Sequence, residues 1–140
     1  MSKLICTYEH DGDPDDDFGW LSVEVSTERF SARGGFWVQW QDVVEFAESL
    51  KQYPISPANP VRDQWGYEMQ EGDDLILSIE IAAENKTGDL VARLEVADSH
   101  FPKHRLRTSF VTSYAEVSSF ASALSAVMAK TEDEAVLVGR

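Results

Sequence analysis

Two segments with alternating apolar residues constrain the fold of this chain more than any other feature of its sequence. From Leu75 to Ile81, and again from Leu90 to Val96, apolar residues occupy every second position. Successive side chains of a strand point to opposite faces, so this alternation predicts two strands that each bury one face. Residues 85–88 between them are typical of a tight turn, and the sequence therefore predicts an antiparallel hairpin.

A second hairpin and a helix are predicted nearer the start of the chain. Residues 21–25 alternate in the same way, and residues 30–38 follow as a partner strand in which Gly34-Gly35 allows a bulge or a close backbone approach. The apolar spacing then changes to i, i+3, i+4 and i+7, which defines one stripe of a helix. The residues of this stripe are Val43, Phe46, Ala47 and Leu50. Pro54 ends the helix.

The same order of strand and helix recurs in the second half of the chain. Residues 106–112 are predicted to form a strand, and Ser113 with Glu116 forms a capping box at the start of a second helix. The apolar stripe of this helix consists of Val117, Phe120, Ala121, Leu124 and Met128. Residues 36–50 and 110–124 thus share one pattern, which either a duplication or the common requirements of a helix packed on a strand would produce.

These elements predict an α+β fold with a single antiparallel β-sheet of about six to seven strands and two amphipathic helices packed on it. A chain of 140 residues has the usual size of one domain, so residues 1–140 are predicted to form a single domain. Residues 1–19 are interpreted as an acidic N-terminal segment, and residues 131–140 as either a frayed tail or an edge strand.

The charge of the chain indicates the kind of partner that it binds. Its 25 Asp and Glu residues exceed its 12 Lys and Arg residues, which gives a formal net charge of -13. This charge repels nucleic acid and anionic membranes and favours a basic protein partner.

The sequence also favours a cytoplasmic location. Cys6 is the only cysteine, so no intramolecular disulfide can form, as is usual in a reducing compartment. The first residues lack the apolar run of a signal peptide, and no segment approaches the ~20 apolar residues of a membrane span.

An acidic run contains the start of a calcium-binding motif but not the rest of it. Asp11, Asp13 and Asp15 have the spacing with which a calcium loop begins. Asp16 and Ser22 stand where that loop requires a glycine and a bidentate glutamate. A solvated acidic loop is therefore the preferred interpretation.

Other combinations of reactive residues do not form a site either. His100 and His104 have zinc-ligand spacing only on a helix, which Pro102 between them disfavours. Cys6 and His10 would lie ~13 Å apart on a strand, too far for a thiolate and its base. The sequence has no G-x-S-x-G elbow and no phosphate-binding loop. We therefore expect no enzyme activity, no cofactor and no metal site.

The acidic run and several aromatic residues supply the candidate binding residues. The alternation that turns Phe36 and Val38 toward the core turns Trp37 to the opposite side, where a large amphipathic ring suits an interface. If both faces of the sheet are covered, these rings are instead buried. The predicted partner-binding residues are Asp13, Asp15, Asp16, Asp17, Trp37, Trp65 and Tyr67.

The chain resembles a known family in two stretches. The sequence FSARGGFWV at residues 30–38, with the helical stripe that follows it, resembles the opening half of the WapI-type immunity proteins of bacterial polymorphic toxin systems. The sequence HRLRTSF at residues 104–110, leading into the second helix, resembles their closing half. The resemblance covers roughly residues 20–128 and leaves out the acidic run. It implies an α+β fold and offers no catalytic residues.

The resemblance implies that the chain binds and neutralises a cognate toxin domain by occlusion. A basic toxin surface would be the partner, in agreement with the charge. A self-associating or adaptor domain is the alternative. A homodimer would then use a small-residue stripe on the second helix or the edge strand near Val136. The residues of the stripe are Ser118, Ser122, Ser125 and Ala129.

Overall fold

The computed structural model describes residues 1–13 and 15–140. Within these residues the chain forms eight β-strands and two α-helices, with a 3-10 turn at Gly72–Asp74. The strands are β1 (Ser2–His10), β2 (Phe18–Ser26), β3 (Ser31–Gln39), β4 (Val61–Gly66), β5 (Leu75–Ala83), β6 (Asp89–Ala97), β7 (Arg105–Ser113) and β8 (Ala135–Gly139). The helices are α1 (Trp40–Ser49) and α2 (Tyr114–Met128).

The described strands form two antiparallel sheets of four strands each. Sheet A has the order β3-β2-β1-β8, and sheet B has the order β4-β5-β6-β7. The α+β class is confirmed, but the prediction of a single sheet of about six to seven strands was wrong. The two predicted hairpins, β2–β3 and β5–β6, exist and lie in different sheets. Alternation specifies which face of a strand is buried, but it does not specify which strands share hydrogen bonds.

Sheet A is built around the first strand of the chain. Residues 1–19, interpreted from the sequence as an acidic segment, contain β1, which lies between β2 and β8. Leu4 of β1 is buried and lies opposite Val25 of β2 on one side and Leu137 of β8 on the other. The tail at residues 131–140 therefore contributes the edge strand β8 to sheet A.

The two sheets approach each other closely at two places. An added Cβ atom at Gly34 of β3 would lie only 2.7 Å from the carbonyl oxygen of Ala97 in β6, so this approach requires a glycine. At the other edge of sheet A, the Thr112 hydroxyl of β7 donates to the carbonyl oxygen of Val138 in β8 at 2.8 Å. One cluster of buried side chains, drawn from both sheets and both helices, fills the interior.

The two helices complete the core with the stripes that their sequence spacing predicts, except that Val127 rather than Met128 is the last buried residue of α2. Phe46, Leu50, Phe120 and Leu124 are each at most 2% exposed, which confirms their predicted burial. The Ser113 hydroxyl accepts a hydrogen bond from the Glu116 N–H at 3.2 Å and caps α2. Neither helix in the described part of the chain is long and apolar enough to cross a membrane.

The topology of the chain repeats once. The order β1-β2-β3-α1 corresponds to β5-β6-β7-α2. Each helix is followed by a strand that joins the other sheet. After α1, β4 pairs with β5 of sheet B, and after α2, β8 pairs with β1 of sheet A. The elements β3, α1 and β4 begin at residues 31, 40 and 61, and β7, α2 and β8 begin at 105, 114 and 135, so one offset of 74 residues relates all three pairs. This agreement extends the local pattern of residues 36–50 and 110–124, and it favours a duplication.

Candidate functional site

The outer face of sheet A, which points away from the core, carries an aromatic pair formed by Trp20 of β2 and Trp37 of β3. The two residues are opposite each other in register, and their rings meet edge to face with centroids 5.3 Å apart. Glu9 of β1 is opposite Trp20, so Glu9, Trp20 and Trp37 form one row across three strands. Trp37 is 54% exposed, which leaves much of its indole available for contact.

A glycine holds the aromatic pair in place. The next row on the same face contains the small residues Thr7, Ser22 and Gly35. An added Cβ atom at Gly35 would lie 2.5 Å from Nε1 of Trp20, so the indole rests against the glycine backbone. A ring that covers a neighbouring glycine in this way stabilises a sheet and fixes the position of the ring.

The acidic loop, residues 11–17, joins β1 to β2 beside the aromatic pair. The Asp13 N–H donates to the Asp11 carboxylate at 3.2 Å, and the Asp15 N–H donates to the Asp13 carboxylate at 2.9 Å. These bonds explain the alternate aspartates, because an aspartate that accepts from the backbone two residues later shapes a turn. The hydrogen bond from the Asp13 backbone lowers the pKa of Asp11, which favours its ionised form.

A hollow of about 390 Å³ lies between the aromatic pair and the acidic loop. Its lining residues are Glu9, His10, Asp11, Gly12, Trp20 and Trp37. Partial burial, and then the charge of Lys130, lower the pKa of His10, whose ring stacks on Tyr8 on the other face of β1 from Glu9. The hollow therefore combines two indole rings with the carboxylates of Glu9 and Asp11.

Trp37 and the loop that carries the four predicted aspartates border this surface. Trp37 is exposed on the outer face of sheet A and lines the hollow together with Asp11 of the acidic loop. The exposed aspartates of that loop are Asp13, Asp15, Asp16 and Asp17. The carbonyl oxygen of Asp17 accepts a hydrogen bond from the Trp40 N–H at 2.9 Å, which places another half-exposed indole beside the loop.

Two predicted partner-binding residues do not belong to this surface. Trp65 is only 6% exposed and packs edge to face on Phe46, so it presents no ring to a partner, contrary to the prediction. The reason is its position on the inner face of β4, beneath α1. Tyr67 is exposed, but its ring packs on Phe36, whose side chain projects from the opposite face of β3 to that of Trp37.

Sequence reasoning missed two residues of the row, Trp20 and Glu9. The signal for Trp20 is its phase, because it precedes Leu21 and therefore lies on the polar side of a strand whose apolar side is clear. Glu9 carries a weaker signal, since its role depends on recognising β1 as a strand and on the register that places it opposite Trp20.

A second hollow, of about 520 Å³, lies on the outer face of sheet B. Its charges are largely satisfied within the sheet. Arg93 bonds to Glu80 at 3.0 Å, while Glu95 accepts from Arg105 at 2.6 Å and from Arg107 at 3.2 Å. Such cross-strand pairs are typical of a sheet face that is open to solvent. The outer face of sheet A, with the exposed indole of Trp37, is therefore the stronger candidate for a binding surface.

Reactive groups elsewhere in the described chain do not assemble into a site. Cys6 is buried, and burial raises the pKa of its thiol to about 12, which makes it unreactive at neutral pH. Over residues 1–13 and 15–140, no group of three or more His, Cys, Asp or Glu side chains is placed to hold a metal ion.

The two surfaces considered for a homodimer differ in how free they are. Ser118 and Ser122 are exposed on α2, so that stripe is accessible. The outer edge of β8 already bonds to β7 through Thr112 and Val138, which limits the addition of another strand there.

Comparison with known proteins does not assign the chain to a family. No family model matches the sequence, and no curated protein or solved structure matches it.

Proposed function

We propose that this chain is a non-catalytic protein-binding domain of the immunity type, which neutralises a basic cognate toxin domain by covering its active surface. The outer face of sheet A is the contact surface in this proposal. The observation that carries it is the exposed ring of Trp37, paired with half-buried Trp20, beside a loop of five aspartates. Tryptophan is enriched among the residues that dominate binding energy at interfaces.

The acidic loop and the aromatic pair would contribute to binding in different ways. A net charge of -13, concentrated in part at the loop, attracts a basic surface over a distance and accelerates association. Trp37 acts only at contact range, where burial of its ring slows dissociation. The two contributions can therefore be separated by kinetics.

The proposal expects a toxin domain to be encoded beside the gene for this chain, and the test uses that domain, with toxin inhibition and binding kinetics as readouts. Replacement of Asp15, Asp16 and Asp17 with Asn should lower the association rate about fivefold at low salt and reduce its salt dependence. Trp37→Ala should raise the dissociation rate at least about tenfold. The matched charge control replaces three exposed glutamates elsewhere in the chain with Gln and should change the association rate much less. These glutamates are Glu28, Glu84 and Glu116.

Different outcomes test whether the chain inhibits a toxin and whether the outer face of sheet A is the contact surface. A toxin domain that is not inhibited would contradict the immunity function. Inhibition with unchanged kinetics in every variant would place the contact surface elsewhere. The alternative of a self-associating domain predicts a dimer by light scattering without any toxin, and a monomer at high concentration would exclude it.

A further inference from the structure

The hollow beside the aromatic pair has the composition of a site for a single cationic group. We propose that it binds one arginine side chain of the partner, with the guanidinium stacked on the Trp37 indole and bonded to the carboxylates of Glu9 and Asp11. This inference rests on the proposed function, because it names the chemical group that the outer face of sheet A recognises.

The two indoles of the hollow attract cations and are held in position. The face of an aromatic ring carries negative potential, and tryptophan attracts cations more strongly than the other aromatic residues. Trp20 meets Trp37 at an interplanar angle of 76°, and Gly35 beneath Trp20 keeps this arrangement in place. A cation that enters the hollow therefore meets rings that are already positioned, with little ordering to be done on binding.

Two carboxylates line the same hollow and can bind a cation. Register places Glu9 in the same row as Trp20, and Asp11 follows two residues later in the lining of the same hollow. Asp11 accepts a hydrogen bond from the Asp13 N–H, which lowers the pKa of Asp11 and favours its ionised form. The charge of the whole molecule, -13, acts in the same direction.

The geometry favours arginine over a compact cation. A planar guanidinium stacks on an indole and still directs several N–H donors outward in its plane, so one group can use a ring and two carboxylates together. The hollow, about 390 Å³, is near the lower end of the usual range for binding pockets. It therefore has room for a whole arginine side chain.

The test needs no partner protein. Nα-acetyl-L-arginine amide is titrated into the protein while NMR follows the indole N–H signals. The signals of Trp20 and Trp37 should shift with a dissociation constant on the order of a few millimolar. Buried Trp65 serves as the internal control and should not shift. Nα-acetyl-L-citrulline amide has nearly the same shape without the charge and should produce no shift.

Two sets of variants test the assigned contacts. Trp37→Leu should weaken binding of the arginine amide about fivefold. The double replacement Glu9→Gln and Asp11→Asn should weaken it about tenfold. Glu28→Gln with Glu84→Gln removes the same charge elsewhere and should weaken it less than twofold. The replaced side chains in all of these variants are exposed, and thermal unfolding should confirm that each variant is folded.

Three results would each overturn the proposal. The first is an equal shift with the citrulline amide, and the second is no shift of Trp20 and Trp37 by the arginine amide. The third is unchanged affinity in the Glu9 and Asp11 double variant. Its failure remains distinct from failure of the immunity function. A toxin domain that is inhibited normally by that double variant overturns the arginine site alone. A chain that binds the arginine amide as expected but inhibits no toxin overturns the immunity function alone.

Discussion

Two adjacent glycines in β3 allow the roles of the two faces of sheet A to be separated by the same chemical change. Gly34 faces sheet B, where an added Cβ atom would lie 2.7 Å from the Ala97 carbonyl oxygen and 2.9 Å from Cγ1 of Val96. Gly35 faces outward, where the added atom would lie 2.5 Å from Nε1 of Trp20. Backbone in the core cannot move freely, whereas the Trp20 ring can turn toward solvent. Gly34→Ala should therefore reduce stability, and Gly35→Ala should reduce binding.

The magnitudes follow from these distances. Ordinary contacts between carbon atoms are about 3.5 Å, so Gly34→Ala forces β3 away from β6, at a cost of about 1–3 kcal/mol for overpacking. The reduced entropy of the unfolded chain returns about 0.4–1 kcal/mol. A net loss of about 1–2 kcal/mol in a chain of 140 residues lowers Tm by about 3–6 °C. For Gly35→Ala the entropy gain offsets the lost contact with Trp20, and stability should change by less than about 0.5 kcal/mol.

Thermal unfolding followed by circular dichroism measures the first effect, and titration with Nα-acetyl-L-arginine amide measures the second. Gly34→Ala should lower Tm and leave the affinity for the arginine amide within about twofold of its original value. Gly35→Ala should leave Tm nearly unchanged and weaken binding about fivefold, because Trp20 is displaced from its position against the glycine. Equal losses of Tm in the two variants would refute the assignment of the two glycines to different faces.

Further predictions concern the core, the single thiol and one carboxyl group. Phe120→Ala should lower the free energy of unfolding by about 3–5 kcal/mol in urea denaturation, whereas Phe101→Ala, at an exposed ring, should change it by less than about 0.5 kcal/mol. Cys6, whose thiol pKa burial raises to about 12, should resist iodoacetamide at about pH 8 until urea unfolds the protein, and rapid modification of the folded protein would contradict its burial. Burial, and then the nearby carboxylates, raise the pKa of Asp63 from 3.8 to about 6. Ionised Asp63 therefore lowers the free energy of unfolding, and this destabilisation disappears as the pH falls from about 6 to about 4. Asp63→Asn should therefore be more stable than the unsubstituted protein at about pH 7.5 and equally stable near pH 4, and a difference that is independent of pH would contradict this assignment.

The helices and the two local hairpins could be predicted from the sequence because their signals are local. The stripe of α2 is continuous through Val117, Phe120, Ala121 and Leu124, and all four are buried. The β5–β6 hairpin is equally clear, because its strands alternate on both sides of a short turn. In each case the residues that form the pattern are close together in the sequence, and hydrophobic periodicity predicts structure only over such short segments.

Strands with a mixed pattern were harder to predict. In β4 the inner face contains Val61, Asp63 and Trp65, so a carboxyl group interrupts the apolar alternation. The raised pKa of Asp63 reflects the same conflict between burial and charge. Because β4 was not recognised as a strand, the phase of Trp65 was not determined, and Trp65 was expected at the surface rather than beneath α1.

The division into two sheets could not be predicted, because it depends on pairing between distant parts of the chain. Ser2 of β1 pairs with Gly139 of β8, and the Ser2 hydroxyl donates to the carbonyl oxygen of Arg140 across 138 residues of sequence. No local pattern reports a pair of this kind, since periodicity describes one strand at a time. The candidate site has the same dependence, because β1 must lie beside β2 for Glu9 to be opposite Trp20. The sequence could therefore indicate an exposed ring at Trp37, whereas the row that joins this ring to Trp20 and Glu9 required the structure.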